Sequence, residues 1–320
     1  MHPNHWKPDY IVKMKGYNDT LDALKARYAG INPCRIEDKG DGRMLRENFH
    51  VAVPTAFFED ESLNIEGMMA HIRNLQEQGV RSVLVSGTTG EQHSLNREEK
   101  LEMVDALAQE GKLISDMEII FGVASVRQKE AEQLAEAVRG TKMAGIMLGY
   151  PPYICPSQAE AVTYSKRVIE RAGKPVILYN NPGRTGFDLA AESIIELAGL
   201  DAVIGIKDAG DKRKIEQIKK DPHGQALHFY AGGEGDLREK TTYGYDRLSS
   251  MAGNLAPADI REWFESLLTG GETGAGENAR VEEILEQVYE GNAVVNLKRM
   301  LNQAGASMGG CRAPIGNAED

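Results

Sequence analysis

From about residue 48 onward, short apolar runs rich in β-branched residues alternate with longer stretches of helical period. The runs are Val51–Thr55, Ser82–Ser86, Ile119–Val123, Ala144–Leu148, Pro175–Asn180, Ala202–Ile206, Leu227–Tyr230 and Leu248–Ala252. Between them, sets such as Leu101, Val104, Leu107 and Ala108, or Ala131, Leu134, Ala135 and Val138, fall on one face of a helix. Strand and helix repeat every roughly 30 residues, the spacing of βα units, and eight units fit a closed (β/α)8 TIM barrel of roughly 250 residues. A doubly wound sheet predicts a glycine-rich dinucleotide turn after the first strand, where the chain instead reads Pro54-Thr55-Ala56-Phe57-Phe58. The pattern selects the barrel.

The 320 residues leave room for two domains of roughly 150 residues, but a single α/β barrel also reaches this length. We read residues 1–46 as an extension, with one helical candidate at Thr20–Tyr28 and a polar stretch at Glu37–Arg43. Residues 47–256 form the barrel core. Residues 257–320 supply the last barrel helix, further helices and a tail, with helical segments near Pro257–Leu268, Val281–Tyr289 and Asn292–Leu301 around the glycine-rich Gly270–Gly276. The chain therefore predicts a C-terminal helical appendage.

A chain that is 41% hydrophobic and 27% charged can bury a large core. The net charge of −11 repels phosphate backbones and anionic lipid, so neither nucleic acid nor membrane is an expected partner. No run approaches the roughly 18 apolar residues of a membrane helix. The start of the chain, with Lys7, Asp9, Lys13 and Lys15, lacks the apolar stretch of a signal peptide, and a cytoplasmic location is expected. Cys34, Cys155 and Cys311 are odd in number and far apart, which predicts free thiols, not disulfides or a zinc site. Asp38, Asp41 and Gly42 miss the ligand spacing of a calcium loop. Neither a metal nor a cofactor is expected.

In a barrel, chemistry gathers at the C-terminal ends of the strands, so the polar residues that follow each apolar run are the candidates. Lys207 ends the run Ala202–Ile206, where burial would penalise the ammonium and favour a nucleophilic amine; the alternative is a lysine snorkelling into solvent. Gly87-Thr88-Thr89-Gly90-Glu91 offers flexible backbone N–H groups to a carboxylate, or is a plain capped turn. In Tyr179-Asn180-Asn181-Pro182-Gly183-Arg184-Thr185-Gly186, the tyrosine can move protons and Arg184 can grip a carboxylate, or both can be ordinary edge residues. Tyr150-Pro151-Pro152-Tyr153 is a proline-stiffened loop carrying two phenols. Two further patterns are set aside. Gly305-Ala306-Ser307-Met308-Gly309 matches a hydrolase elbow, but no strand precedes it and every histidine lies upstream. Gly232-Gly233-Glu234-Gly235 occupies a phosphate-binding place, yet Glu234 would put a negative charge within the cradle.

With its GTTGE box after strand two, Tyr-Asn-x-Pro box after strand five and Gly-Ile-Lys box at strand six, the chain resembles the dihydrodipicolinate synthase and N-acetylneuraminate lyase superfamily of class I, pyruvate-dependent aldolases over about residues 48–300. The resemblance implies a lyase in which Lys207 forms a Schiff base with pyruvate. It implies that Tyr179, Thr88 and Tyr153 relay protons, with Tyr153 reaching in from a neighbouring subunit of a dimer or tetramer. The backbone of Thr88 and Thr89 would hold the keto acid, Ser249 would line the site, and Arg184 in a synthase-like Pro-x-Arg-Thr-Gly pattern would bind an acidic aldehyde. Four departures bear on the substrate, one being the N-terminal extension, which compact members of the superfamily lack. The loop Asp208-Ala209-Gly210-Asp211 is one residue short, strand eight reads Arg247-Leu248-Ser249-Ser250-Met251, and Ile154 and Cys155 replace a polar pair. The alternatives are a catabolic aldolase or dehydratase acting on a hydroxylated or sugar-derived acid, and a barrel that only binds a small molecule.

Overall fold

In the computed structural model, which describes residues 45–270 and 275–316, eight parallel strands close in chain order, with β1 pairing β8. They are β1 (Phe49–Ala52), β2 (Ser82–Val85), β3 (Glu118–Val123), β4 (Gly145–Gly149), β5 (Val176–Asn180), β6 (Val203–Asp208), β7 (His228–Ala231) and β8 (Arg247–Ser250). The candidate helix Thr20–Tyr28, Cys34 and the Asp38–Gly42 turn lie outside the described residues. Parallel strands require crossovers, so helices cover the outer face and both faces of every strand are buried. Val51, Val83, Phe121, Leu148 and Leu178 point outward into the helical layer, while Ala52, Leu84, Ile120, Met147 and Ile177 fill the interior. This is why the strands read as continuous apolar runs instead of alternating ones.

Strand boundaries move by one to three residues from the expectation, and the reasons are local. β1 ends at Ala52 and not Thr55. Pro54, lacking an N–H, cannot extend a ladder. β8 likewise stops at Ser250, because the chain turns into a 3-10 segment at Ala252–Asn254. β6 runs on to Asp208, so Lys207 lies within the strand and its backbone is fixed by β5 and β7 through the pairs Tyr179 with Lys207 and Lys207 with Tyr230.

Helices begin where the chain supplies caps. Asn96 and Glu99 form a reciprocal capping box at the start of Arg97–Gln109, and Ser157 and Glu160 do the same for Gln158–Ala172. The appendage consists of helices Pro257–Leu268, Ala275–Tyr289 and Ala293–Gln303. No helix among the described residues is long and apolar enough to cross a membrane.

Two contacts shape the upper end of the barrel. Gly122 lets the turn after β2 approach: a Cβ there would meet the Ser86 carbonyl oxygen at 2.1 Å, and Ser86 itself has φ 57. The Glu91 carboxylate, at the end of the GTTGE box, pairs with Lys298 Nζ at 2.8 Å, both side chains being almost wholly buried. Glu91 also accepts the Arg312 N–H at 3.0 Å, so the box is tied to the last helix and the tail. Removing one partner of such a pair would strand a charge in the core at a cost of about 3–5 kcal/mol.

Candidate active site

Lys207 is buried to 6% exposure in the upper barrel, and its Nζ donates to Ser249 Oγ at 2.9 Å. The amine also sits 4.8 Å from the centre of the Tyr179 ring. Burial pushes the Lys207 amine below the ordinary lysine range, with Tyr179 and Glu234 opposing the shift through their charges. A depressed lysine holds more free amine near neutral pH, which is what attack on a carbonyl requires.

Tyr179 is the second centre. Its hydroxyl lies 3.2 Å from Thr88 Oγ1 and accepts from Asn181 Nδ2 at 2.6 Å. Burial alone would raise the phenol, but the Lys207 charge and the hydrogen bonds with Thr88 and Asn181 outweigh it, and the phenol falls below its ordinary value. Because Asn181 fills one acceptor position, the phenolic proton is left to pass to Thr88 or to a bound substrate. Asn181 was not assigned a role from the sequence, where an Asn before Pro reads as a turn residue. Its neighbour Asn180 joins strand ends: its Nδ2 donates to Asp208 at 2.9 Å and to Asp188 at 2.8 Å, while its Oδ1 accepts from Leu189 at 3.0 Å.

Thr88, Thr89, Tyr179, Arg184, Lys207 and Ser249 all line one cleft of about 480 Å³ at the C-terminal mouth of the barrel. The backbone N–H groups of Thr88 and Thr89 donate to no backbone group among the described residues. Arg184 is exposed and stands where this cleft joins a second one of about 320 Å³, lined by His93, Ala124, Met147, Pro152 and Ile315 among others. A larger cleft of about 620 Å³ along helix Ile65–Glu77 contains neither lysine nor tyrosine, so size alone does not select the site. Tyr153 does not join the others. It is 93% exposed, lines neither mouth cleft and holds the left-handed φ of 72. Cys155 is an exposed free thiol beside it, and Cys311 is a second free thiol, pushed up to about 12 by burial and the nearby Glu91 charge.

Two residues of the mouth were missed or misread. Glu234 does not project into the cleft as a repelling charge; it is buried and turned toward β8. Tyr289, from the appendage, lines the cleft together with Gly291, Asn292 and Ala293. Nothing in the periodicity of Ala275–Tyr289 shows where that helix docks.

The model of the dihydrodipicolinate synthetase family matches residues 46–320. The chain belongs to that family. The 4-hydroxy-tetrahydrodipicolinate synthase of Methanosarcina barkeri is 27% identical over 266 residues, covering 82% of this chain and 90% of its own. Among solved structures, the chloride-inhibited dihydrodipicolinate synthase of Acinetobacter baumannii complexed with pyruvate superposes with a TM-score of 0.74 at 27% identity, covering 85% of this chain and 94% of that one. CdNal from Clostridium difficile, in complex with mannosamine, shares the fold with a TM-score of 0.72 at 24% identity, over 85% and 93% of the two chains. Members of the dihydrodipicolinate synthetase family are lyases of the Schiff-base, class I aldolase type, and this chain is an enzyme of that superfamily.

Proposed function

We propose that the protein condenses pyruvate with an acidic aldehyde through an imine on Lys207, in the manner of a dihydrodipicolinate synthase. The observation that carries this is the buried Lys207 amine held between Ser249 and the face of Tyr179. Lys207 Nζ attacks the ketone carbon of pyruvate, water leaves, and the protonated imine acidifies the C3–H bond by offering its nitrogen as an electron sink. Loss of a C3 proton through Tyr179 and Thr88 gives an enamine, whose C3 attacks the aldehyde carbon while a proton passes to the aldehyde oxygen, and water then hydrolyses the product iminium to return the free Lys207 amine. The Thr88 and Thr89 backbone holds the pyruvate carboxylate. Trapping with borohydride followed by mass spectrometry of the digest tests the reading: the pyruvate-derived mass falls on Lys207, and its appearance on another lysine, or nowhere, ends it.

Arg184 reads the second substrate. Standing at the junction of the two clefts, its fork-shaped guanidinium faces whatever reacts with the enamine. Arg184→Ala is expected to lower kcat/KM for an acidic aldehyde by about ten- to hundredfold, the loss of one charge-assisted hydrogen bond, while pyruvate trapping survives. Equal losses on an acidic and a neutral aldehyde would show that Arg184 only supports its loop.

Tyr153 acts from a second copy of the chain. A large aromatic ring left exposed on a backbone strained into the left-handed region is suited to entering a neighbour's cleft. Light scattering is expected to give a dimer or tetramer at assay concentration, and a fully active monomer would remove Tyr153 from the relay.

A further inference from the structure

Strand β8 ends in two serines whose side chains point in opposite directions, as the period of a strand requires. Ser249 faces inward and accepts from Lys207 Nζ at 2.9 Å. Ser250 faces the other way and donates its hydroxyl to Glu234 Oε1. The same carboxylate oxygen accepts the backbone N–H groups of Met251 and Ala252, each at 3.1 Å, and Oε2 accepts the Tyr289 hydroxyl. Glu234 is 3% exposed and its side chain only accepts, the pattern of a carboxylate. The serine that holds this buried carboxylate follows the lysine's own partner along β8, and the tyrosine that holds its other oxygen lines the same cleft as Lys207. The Gly-Gly-Glu-Gly turn that carries it is shaped for Tyr289, since a Cβ on Gly233, at φ +103, would come within 2.9 Å of the Tyr289 hydroxyl oxygen.

We propose that Glu234 is the fixed counter-charge of Lys207, stabilising its cationic forms, the ammonium and then the iminium, and that Tyr289 holds the carboxylate in place. The inference rests on the Schiff-base reading of Lys207. A pre-placed negative charge at the site where positive charge persists through the reaction lowers the energy of the iminium without reorganisation, and the buried setting strengthens it. Its cost is that the same charge opposes deprotonation of the free lysine. The geometry also gives the C-terminal appendage a part in the chemistry: helix Ala275–Tyr289 ends in the hydroxyl that orients the counter-charge.

Other titratable groups surround this pair, and Lys240, donating to the Gly235 carbonyl at 2.7 Å, faces the Glu234 charge from helix Leu237–Tyr243. Tyr179 faces Lys207 from β5, with Arg184 beyond; His50, neutral because burial and the Lys207 charge hold its imidazole down to about 3, lies below on β1; Tyr230 pairs with the lysine from β7. The test must remove the Glu234 charge and leave these in place. Glu234→Gln does so, since the amide oxygen still accepts from Ser250, Met251 and Ala252 and the amide nitrogen can donate to the Tyr289 oxygen. Pyruvate trapping by cyanoborohydride is measured across pH on the full chain. The midpoint for imine formation should move to lower pH by about half a unit or more, the loss of an attractive charge, while kcat falls about tenfold. Tyr289→Phe keeps the charge but frees one oxygen of the carboxylate, so its midpoint should move in the same direction by a smaller amount. An unmoved or raised midpoint in Glu234→Gln, or an equally large displacement in Tyr289→Phe, overturns the inference. Absence of any Lys207 adduct in the unaltered protein overturns the Schiff-base reading and this inference with it.

Discussion

Lys207→Arg abolishes reductive trapping of pyruvate and reduces turnover to background. A guanidinium stays protonated throughout the accessible pH range and cannot attack a ketone, so the substitution keeps the charge and removes the nucleophile. The unaltered protein forms the imine more readily as pH rises through the lysine's own titration. That rise lies below the ordinary lysine range, because burial disfavours the ammonium more than Tyr179 and Glu234 favour it. Residual trapping in the Arg variant, located by mass spectrometry on another lysine, would move the chemistry away from β6.

Lys207, Tyr179, Thr88 and Ser249 come from β6, β5, the turn after β2, and β8, and their convergence on one cleft was legible because a closed barrel brings all strand ends to one mouth. Counting apolar runs therefore placed these residues at one mouth without any knowledge of side-chain packing. What the runs could not give was the direction of a side chain on a turn. Glu234 reads in sequence as a charge in a glycine loop, and only the positions of Ser250 and the Met251 and Ala252 N–H groups show why it turns away from the cleft. Asn181 was hidden by its own motif, since Asn-Pro is an ordinary turn pair. Tyr289 was hidden for a different reason: a helical period reports which face is apolar but not which strand end that helix reaches. Tyr153 sits on a proline-stiffened loop whose left-handed φ is invisible to residue type, because a tyrosine is among the residues least expected there.

Tyr179→Phe is expected to lower kcat by about a hundredfold or more while leaving slow imine formation on Lys207 intact. The ring itself packs over the lysine and would remain in phenylalanine, so the change removes only the hydroxyl that meets Thr88 Oγ1 at 3.2 Å and Asn181 Nδ2 at 2.6 Å. Imine formation needs a free amine and the loss of water, both available without the phenol, whereas taking the C3 proton and delivering one to the aldehyde oxygen need a group that can hold a proton at that place. The phenol is fitted for this, because the Lys207 charge and its two hydrogen-bond partners bring it below the ordinary tyrosine value despite burial. Thr88→Val should lower kcat in the same direction by a smaller factor, since Asn181 still supports the phenol. The separating measurement is exchange of the pyruvate methyl protons with deuterated solvent, alongside borohydride trapping. Loss of exchange with retained trapping places the phenol at the enamine step, and retained exchange at normal rate in Tyr179→Phe would reduce Tyr179 to a packing residue over the lysine.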